Sequence, residues 1–268
     1  MFYSDYHIHS RFSGDSREDL DEILKKAISL GLKEIAITDH LEKDMIDIGP
    51  EWDIDLDEYS KEILRLKEKY KNEINLKLGL EVGVQPHTLD YFEKELKKYP
   101  LDFVIASSHG IDRYDLSFGI LQEGRTRDEM QDLYFRTVYE NVKNYDKFNV
   151  YGHLDFITRY GGPKYRGMNI GNHIEIIEKI LKEIISKGKG IEINTSGYRY
   201  GEDRVYPDFE ILKRYFELGG EVITIGSDSH RKEDITKDFK IAYEILERLG
   251  VKYISSFEKM EPSFIKIR

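Results

Sequence analysis

The chain has 268 residues, 40% of them apolar and 34% charged, with a net charge of −10 and no cysteine. That length suits one large α/β domain or two small ones, and the negative balance argues against a general nucleic-acid or anionic-membrane surface, because both select clustered positive charge. Without cysteine there are no disulfides and no thiolate ligands, so any metal is left to His, Asp, Glu or water.

The N-terminus does not read as a signal peptide, and no apolar run approaches the ~18 residues of a membrane span. A cytoplasmic location without a membrane partner is expected. The first run, Phe2–Ile8, reads as a strand ending in His7-Ile8-His9. Strand residues two apart share a face, so two imidazoles aim at one point. Imidazole is the commonest neutral metal ligand, although an ordinary polar strand end has the same spacing.

A helical pattern follows over Arg17–Leu30, with Ser16 and Asp19 as its start signals. The second apolar run, Glu34–Thr38, leads into Asp39-His40. The long segment Leu41–Asp55, with Trp52 and several acids, is expected either to cover a pocket or to make a surface excursion. A helix over Leu56–Lys71 precedes the run Leu76–Leu80, which ends at Glu81. A helix over Leu89–Tyr99 precedes Phe103–Ser107, which ends in Ser108-His109. Next come a helix over Thr126–Tyr145, opened by Thr126 and Glu129, and the run Asn149–Gly152 before His153. The helix Gly171–Lys187 leads to Gly190–Asn194 and then Thr195-Ser196. The helix Pro207–Leu218 leads to Glu221–Gly226 and then Ser227-Asp228-Ser229-His230. The last helix, Lys232–Leu249, shows Ile241, Ala242, Ile245, Leu246 and Leu249 on one face. Gly31, Gly188, Gly219 and Gly250 stand just past helix ends, where a left-handed residue is wanted. The tail, Val251–Ile254 and Ser263–Ile267, reads as a strand pair or an irregular eighth unit.

Strict alternation of seven strands and helices implies parallel strands with right-handed crossovers. An open doubly wound sheet and a closed barrel both satisfy that pattern. Every strand, however, delivers a metal-capable or hydrogen-bonding group at its carboxyl end. A barrel brings all seven ends to one mouth, whereas an open sheet joins only a few at its switch point. A distorted (β/α)7 barrel is therefore expected, as a single domain over residues 1–268. Six of the eight histidines (7, 9, 40, 109, 153 and 230) fall at the strand ends. His87 and His173 stand at helix starts and read as ordinary surface or helix-start residues.

The set His7-x-His9, Thr38-Asp39-His40, Glu81, His109, Gly152-His153 and Asp228-Ser229-His230 resembles the PHP (polymerase and histidinol phosphatase) family of metal-dependent phosphoesterases, in order and along nearly the whole chain. The resemblance implies a distorted (β/α)7 barrel of the PHP type with three divalent metal ions at the carboxyl ends of the strands. Carried over, His7, His9, Glu81 and Asp228 would hold one ion. Glu81, His109 and His153 would hold a second, with Glu81 as the bridge. Asp15, His40 and His230 would hold a third. Some family members have His where this chain has Asp15, and an oxygen ligand there favours iron or manganese beside zinc. Two stretches, Gly152–Gly161 and Ile191–Arg199, resemble those of the histidinol-phosphate phosphatases within the family. Each puts an arginine beyond the mouth, so Arg159 and Arg199 are the candidate phosphate clamps.

The resemblance implies a small-molecule phosphate monoester as substrate, L-histidinol phosphate, attacked by a hydroxide bridging two metals. Asp39 and Asp155, each near a candidate histidine ligand, are expected to orient imidazoles or, as the alternative, to act as general acids. Glu42, Asp112 and Glu123 lie in loops suited to the imidazole and ammonium of that substrate. A PHP-type enzyme acting on phosphotyrosine, nucleotides or oligonucleotides is the nearest rival, which the acidic surface weakens for nucleic acid. TatD-like nucleases and amidohydrolases also begin with His-x-His, but the chain shows no metal-bridging lysine, and His230 with His40 points to a third ion. A non-enzymatic metal-binding domain would leave gaps in the ligand set, and this one has none.

Overall fold

The computed structural model describes residues 3–267, so Phe2, the expected start of the first run, lies outside the described residues. Seven parallel strands run β1 (Ser4–Asp5), β2 (Glu34–Ile37), β3 (Asn75–Gly83), β4 (Phe103–Ser107), β5 (Val150–Tyr151), β6 (Gly190–Asn194) and β7 (Ile223–Gly226), and pair in that order. The helices between them are α1 (Leu20–Ser29), α2 (Leu56–Tyr70), α3 (Leu89–Leu96), α4 (Arg127–Asn144), α5 (Ile170–Ser186), α6 (Phe209–Glu217) and α7 (Phe239–Arg248).

The chain after β1 closes the ring onto β7. Tyr6 N–H donates to Ile225 O at 3.0 Å, His9 N–H donates to Ser229 O at 2.9 Å, and Ile8 bridges Ser229. The fold is thus the expected distorted (β/α)7 barrel. Regular pairing of the first run covers only Ser4–Asp5. At the seam, the buried Asp5 carboxylate takes the N–H groups of His7, Ser227 and Thr236 in place of a ladder.

Alternation along β3 shows how the barrel is filled. Leu76, Leu78, Leu80 and Val82 face the helices and join the main core. Lys77 and Glu81 are on the other face, inside the barrel. Lys77 pairs with Glu34 and Glu258 toward the amino ends of the strands, and Glu81 stands among histidines toward the carboxyl ends. The helices contribute periodic apolar faces, as in α5, where Ile177, Ile180, Leu181 and Ile184 are all buried.

The tail is the strand pair, β8 (Tyr253–Glu258) against β9 (Glu261–Lys266), antiparallel. Phe257 from β8 packs with Tyr6, Phe103, Ile105 and Val150 in a second small core that seals one end of the barrel. Two start signals move. Asp19, and not Ser16, caps α1, accepting from the N–H groups of Asp21 and Glu22, while Ser16 Oγ reaches His230 O. The last helix begins at Phe239 and not at Lys232, because Thr236 and Asp238 take positive φ (59° and 60°) and the Asp5 carboxylate pins Thr236. Gly31, Gly188, Gly219 and Gly250 all have positive φ, as their places after helices require. No helix among the described residues is long and apolar enough to cross a membrane.

Candidate metal centre

Glu81 is the hub of the strand-end cluster. Its carboxylate is almost wholly buried, and each oxygen faces a different set of imidazoles. Oε2 lies 3.0 Å from His7 Nε2, 3.5 Å from His9 Nε2 and 3.2 Å from His40 Nδ1. Oε1 lies 2.9 Å from His153 Nε2 and 3.2 Å from His109 Nε2, and accepts from Ser107 Oγ at 2.6 Å. Strand pairing sets this up, since His40 is in register with Glu81 across from β3.

The expected groupings are brought together. Donor atoms of His7, His9 and Glu81 lie within 4.8 Å of one another, as do those of Glu81, His109 and His153. Asp228 Oδ1 completes the first group, 3.4 Å from His9 Nε2 and 3.8 Å from His7 Nε2. Asp228 has a positive φ of 54°, a strained conformation for a non-glycine residue. Asp15, His40 and His230 form a third group, which His9 also joins, with Asp15 Oδ2 at 2.8 Å from His230 Nε2 and 3.6 Å from His40 Nε2. Of the six clustered imidazoles, His9 Nε2, His40 Nδ1 and His153 Nδ1 are buried without a hydrogen-bond partner. A nitrogen–oxygen donor set with shared carboxylates and unpartnered ring nitrogens fits divalent cations such as zinc, iron or manganese.

Three of the ring nitrogens turned away from Glu81 are held from behind. His7 Nδ1 meets Glu192 Oε2 at 2.9 Å, His109 Nδ1 meets Glu42 Oε1 at 2.6 Å, and His9 Nδ1 meets Ser13 Oγ at 3.1 Å. Glycines make the room. A Cβ on Gly226 would stand 2.4 Å from His7 Cβ and 2.8 Å from Glu192 Oε2, and one on Gly83 would collide with Glu42. Burial would raise the Glu81 and Asp228 carboxyls, but the histidines around them hold both well below the usual carboxylate range. Burial opposes a charge on His109 too, yet Glu81 and Glu42 carry it up to about 10. His9 goes the other way, to about 3, through burial first and then through His230 and His40.

Several expected roles change. Asp39 reaches no imidazole among the described residues. Its oxygens accept from Ser10 N–H (2.6 Å), Ser10 Oγ (2.6 Å) and Ser13 Oγ (2.8 Å), so it acts on His9 through Ser13. Asp155 also reaches no imidazole. It accepts from Arg204 and from Asp208 N–H, a bond between loops. Neither carboxylate is placed to serve as a general acid at the cluster. Arg199 is not among the residues lining the cavity: its Nη2 donates to Ser227 O (2.5 Å) and Asp228 O (2.8 Å), while Nη1 is buried without a partner. The short helical turn Thr195–Tyr198 directs it there. Arg159 does line the cavity, stacked between Phe156 and Tyr200, with Nη2 on Ser196 Oγ at 2.6 Å and Nε unpartnered.

Glu42 lines the cavity with Oε1 on His109 and Oε2 unpartnered, whereas Asp112 and Glu123 are exposed away from the cavity. Besides Glu42 and the cluster's own carboxylates, the acids that line it are Asp47 and Glu51, from the segment after β2, and Asp115, from a hairpin after β4. That hairpin turns through Asp112 and Arg113, both at positive φ, without the glycine that marks such turns in a sequence. The cavity measures about 270 Å³. Glu192 was not among the expected residues. Its signal was a charged residue between Ile191 and Ile193 in a buried strand. His87 is exposed beside Asp44, as expected of a surface residue, whereas His173 is buried in α5 against Asp132.

The PHP domain matches residues 5–196 of this chain. The chain is 34% identical over 262 residues to a histidinol-phosphatase of Lactococcus lactis, covering 96% of this chain and 95% of that one. It is 32% identical to a probable histidinol-phosphatase of Clostridium acetobutylicum, covering 95% and 96%. The solved histidinol phosphate phosphatase of Lactococcus lactis, in complex with zinc, L-histidinol and phosphate, superposes with a TM-score of 0.90 at 30% identity, over 97% of this chain and 98% of that one. With a barrel of this topology, a carboxylate hub among strand-end histidines and relatives matched from end to end, the chain belongs to the PHP domain family.

Proposed function

We propose that the protein is a metal-dependent phosphomonoesterase that hydrolyses L-histidinol phosphate to L-histidinol and phosphate, a cytoplasmic step of histidine biosynthesis. The observation that carries it is Glu81, whose two oxygens face separate imidazole sets at the closed end of a cavity rimmed by Arg159. The end-to-end likeness to a phosphatase solved with zinc, L-histidinol and phosphate supports the substrate.

His7, His9, Glu81 and Asp228 would hold one ion, Glu81, His109 and His153 a second, and Asp15, His40 and His230 a third. Bound divalent ions supply Lewis acidity, a water acidified toward neutral pH and positive charge for the phosphate oxygens. The chain's own groups do the rest. Glu192, Glu42 and Ser13 fix the imidazoles by their outer nitrogens, which keeps the inner ones aimed. Arg159 is held rigid by aromatic stacking and presents a permanent positive charge to the phosphate. Phe156, Trp52 and Tyr160 line the cavity and limit water around the reacting group.

The test is phosphate release from L-histidinol phosphate and from p-nitrophenyl phosphate by protein loaded in turn with zinc, iron and manganese. A clear preference for L-histidinol phosphate is expected. Equal turnover of both substrates overturns the substrate, and no turnover with any metal overturns the enzyme.

A further inference from the structure

A centre that gathers positive charge for a phosphate would ordinarily be flanked by more of it. Here the cavity also carries three carboxylates, Asp47, Glu51 and Asp115. Among the described residues none of the three forms an ion pair. Their hydrogen bonds come from the backbone: Asp47 accepts from Asp115 N–H at 3.1 and 3.2 Å, and Asp115 from Ser117 N–H at 2.6 Å. Such bonds fix the loops and neutralise no charge. A fourth acidic oxygen, Glu42 Oε2, belongs to a side chain only 4% exposed that lines the same cavity, and it has no partner. Trp52 lines the cavity beside Glu51.

Unneutralised carboxylates here repel any anionic substrate, phosphate included, so they need a cation to offset them. We infer that Asp47, Glu51 and Asp115, with Trp52 beside them, determine specificity by selecting phosphate monoesters whose alcohol carries an ammonium or imidazolium group. The cavity is a charge-polarised receptor. The Glu81-centred cluster and Arg159 take the dianion, and the acidic loops take the cation. Monoesters of a neutral alcohol of the same size bind without the second contact, and monoesters bearing further negative charge, such as bisphosphates, are repelled. The selection rests on the phosphomonoesterase function proposed above, and goes beyond it by naming the residues that read the alcohol and a substrate class wider than one compound.

The variants Asp47→Asn, Glu51→Gln and Asp115→Asn, singly and combined, remove charge while keeping a side-chain oxygen for the backbone N–H groups. The quantity read is the ratio of kcat/KM for L-histidinol phosphate to that for p-nitrophenyl phosphate, measured on one preparation so that any loss of folded protein cancels. In the combined variant it falls about 10–100-fold, as for a lost charged hydrogen bond. A ratio within about threefold of the parent overturns the proposal. A second measurement needs no variant. The parent protein is given phosphoethanolamine and propyl phosphate, which match in size and differ in one ammonium. Preference for phosphoethanolamine by about tenfold or more supports the acidic wall, and equal turnover overturns it. If L-histidinol phosphate is not cleaved at all, the proposed function fails by itself, and the phosphoethanolamine comparison still decides the role of the wall.

Discussion

His7 Nδ1 lies 2.9 Å from Glu192 Oε2, on the side of the ring opposite Nε2, which faces Glu81 at 3.0 Å. The chain just after β1 therefore supplies a candidate ligand, and β6 sets its tautomer. Glu192 also accepts from His153 N–H (2.8 Å) and Asn194 Nδ2 (3.0 Å), so one buried carboxylate orients two candidate ligands. Glu192→Gln keeps the shape and removes the charge. Zinc affinity, measured by chelator competition, should fall about 10–100-fold, with kcat/KM falling in step and the fold intact. Unchanged zinc affinity would show that backbone placement alone aims His7.

Glu81→Ala removes the shared carboxylate from two ligand groups at once. Metal content should drop by two ions per chain, and activity by about 10³-fold or more, given several kcal/mol of metal-derived stabilisation. Elemental analysis after gel filtration checks the first outcome and phosphate release the second. Full activity in this variant would refute the arrangement of the centre.

Arg159 and Arg199 separate by role. Arg159→Ala should raise KM for the phosphate monoester about tenfold or more, since the side chain faces the cavity, and metal content is read alongside because Nη2 also lies 3.3 Å from Asp228 Oδ2. Arg199→Ala should leave KM near its starting value and lower thermal stability, by about 1–3 kcal/mol, because its guanidinium holds Ser227 O and Asp228 O. Steady-state kinetics and thermal melts of both variants make the comparison. An Arg199→Ala protein that melts normally and binds substrate poorly would reverse the assignment.

The contrast between those arginines shows what a sequence carries and what it does not. The strand-end histidines were legible because alternation within a strand and convergence in a barrel fix where a side chain points once the strand is found. Glu81 was legible for the same reason. Both arginines follow strands, but Arg159 ends one short helical turn and Arg199 stands just past another, and there one residue of phase redirects a side chain by about 120°. Asp155 lies off the strand and is claimed by Arg204 and Asp208 N–H, and Asp39 misled through adjacency to His40. Neighbours in sequence along extended backbone face opposite ways, and the partner that Asp39 needed was Ser13, 26 residues away. Glu42 sits two residues past His40, and its partner His109 lies 67 residues on, a pairing that the order of the chain does not announce.

Gly190 tests the packing beneath the centre. A Cβ there would stand 2.1 Å from Val222 O, a backbone atom of the chain leading into β7 that cannot step aside. Gly190→Ala should destabilise the protein by about 1–3 kcal/mol or more, and a thermal melt of the metal-loaded protein reads it directly. Activity per folded molecule should stay close to normal, because Gly190 is at the start of β6 and the site is past its end. A melting temperature equal to the parent's would mean that β6 and β7 separate at little cost.

Metal uptake should expel protons, and the sign follows from the acids around the imidazoles. Burial disfavours the charged form of His7, His40 and His109, but the neighbouring carboxylates overcome it, lifting His7 and His40 well above the usual imidazole range and His109 to about 10. Protein stripped of metal thus holds protons on these rings at pH 7, and a cation must displace them, because only the neutral nitrogen ligates. His9, held down at about 3, is already neutral and contributes none. Zinc affinity should therefore rise with pH between about 6 and 9, at up to tenfold per unit for each proton displaced. Titration calorimetry in two buffers of different ionisation enthalpy counts those protons. A count of zero would mean that the rings are already neutral, and that the carboxylates around Glu81 act as ligands without first charging their neighbours.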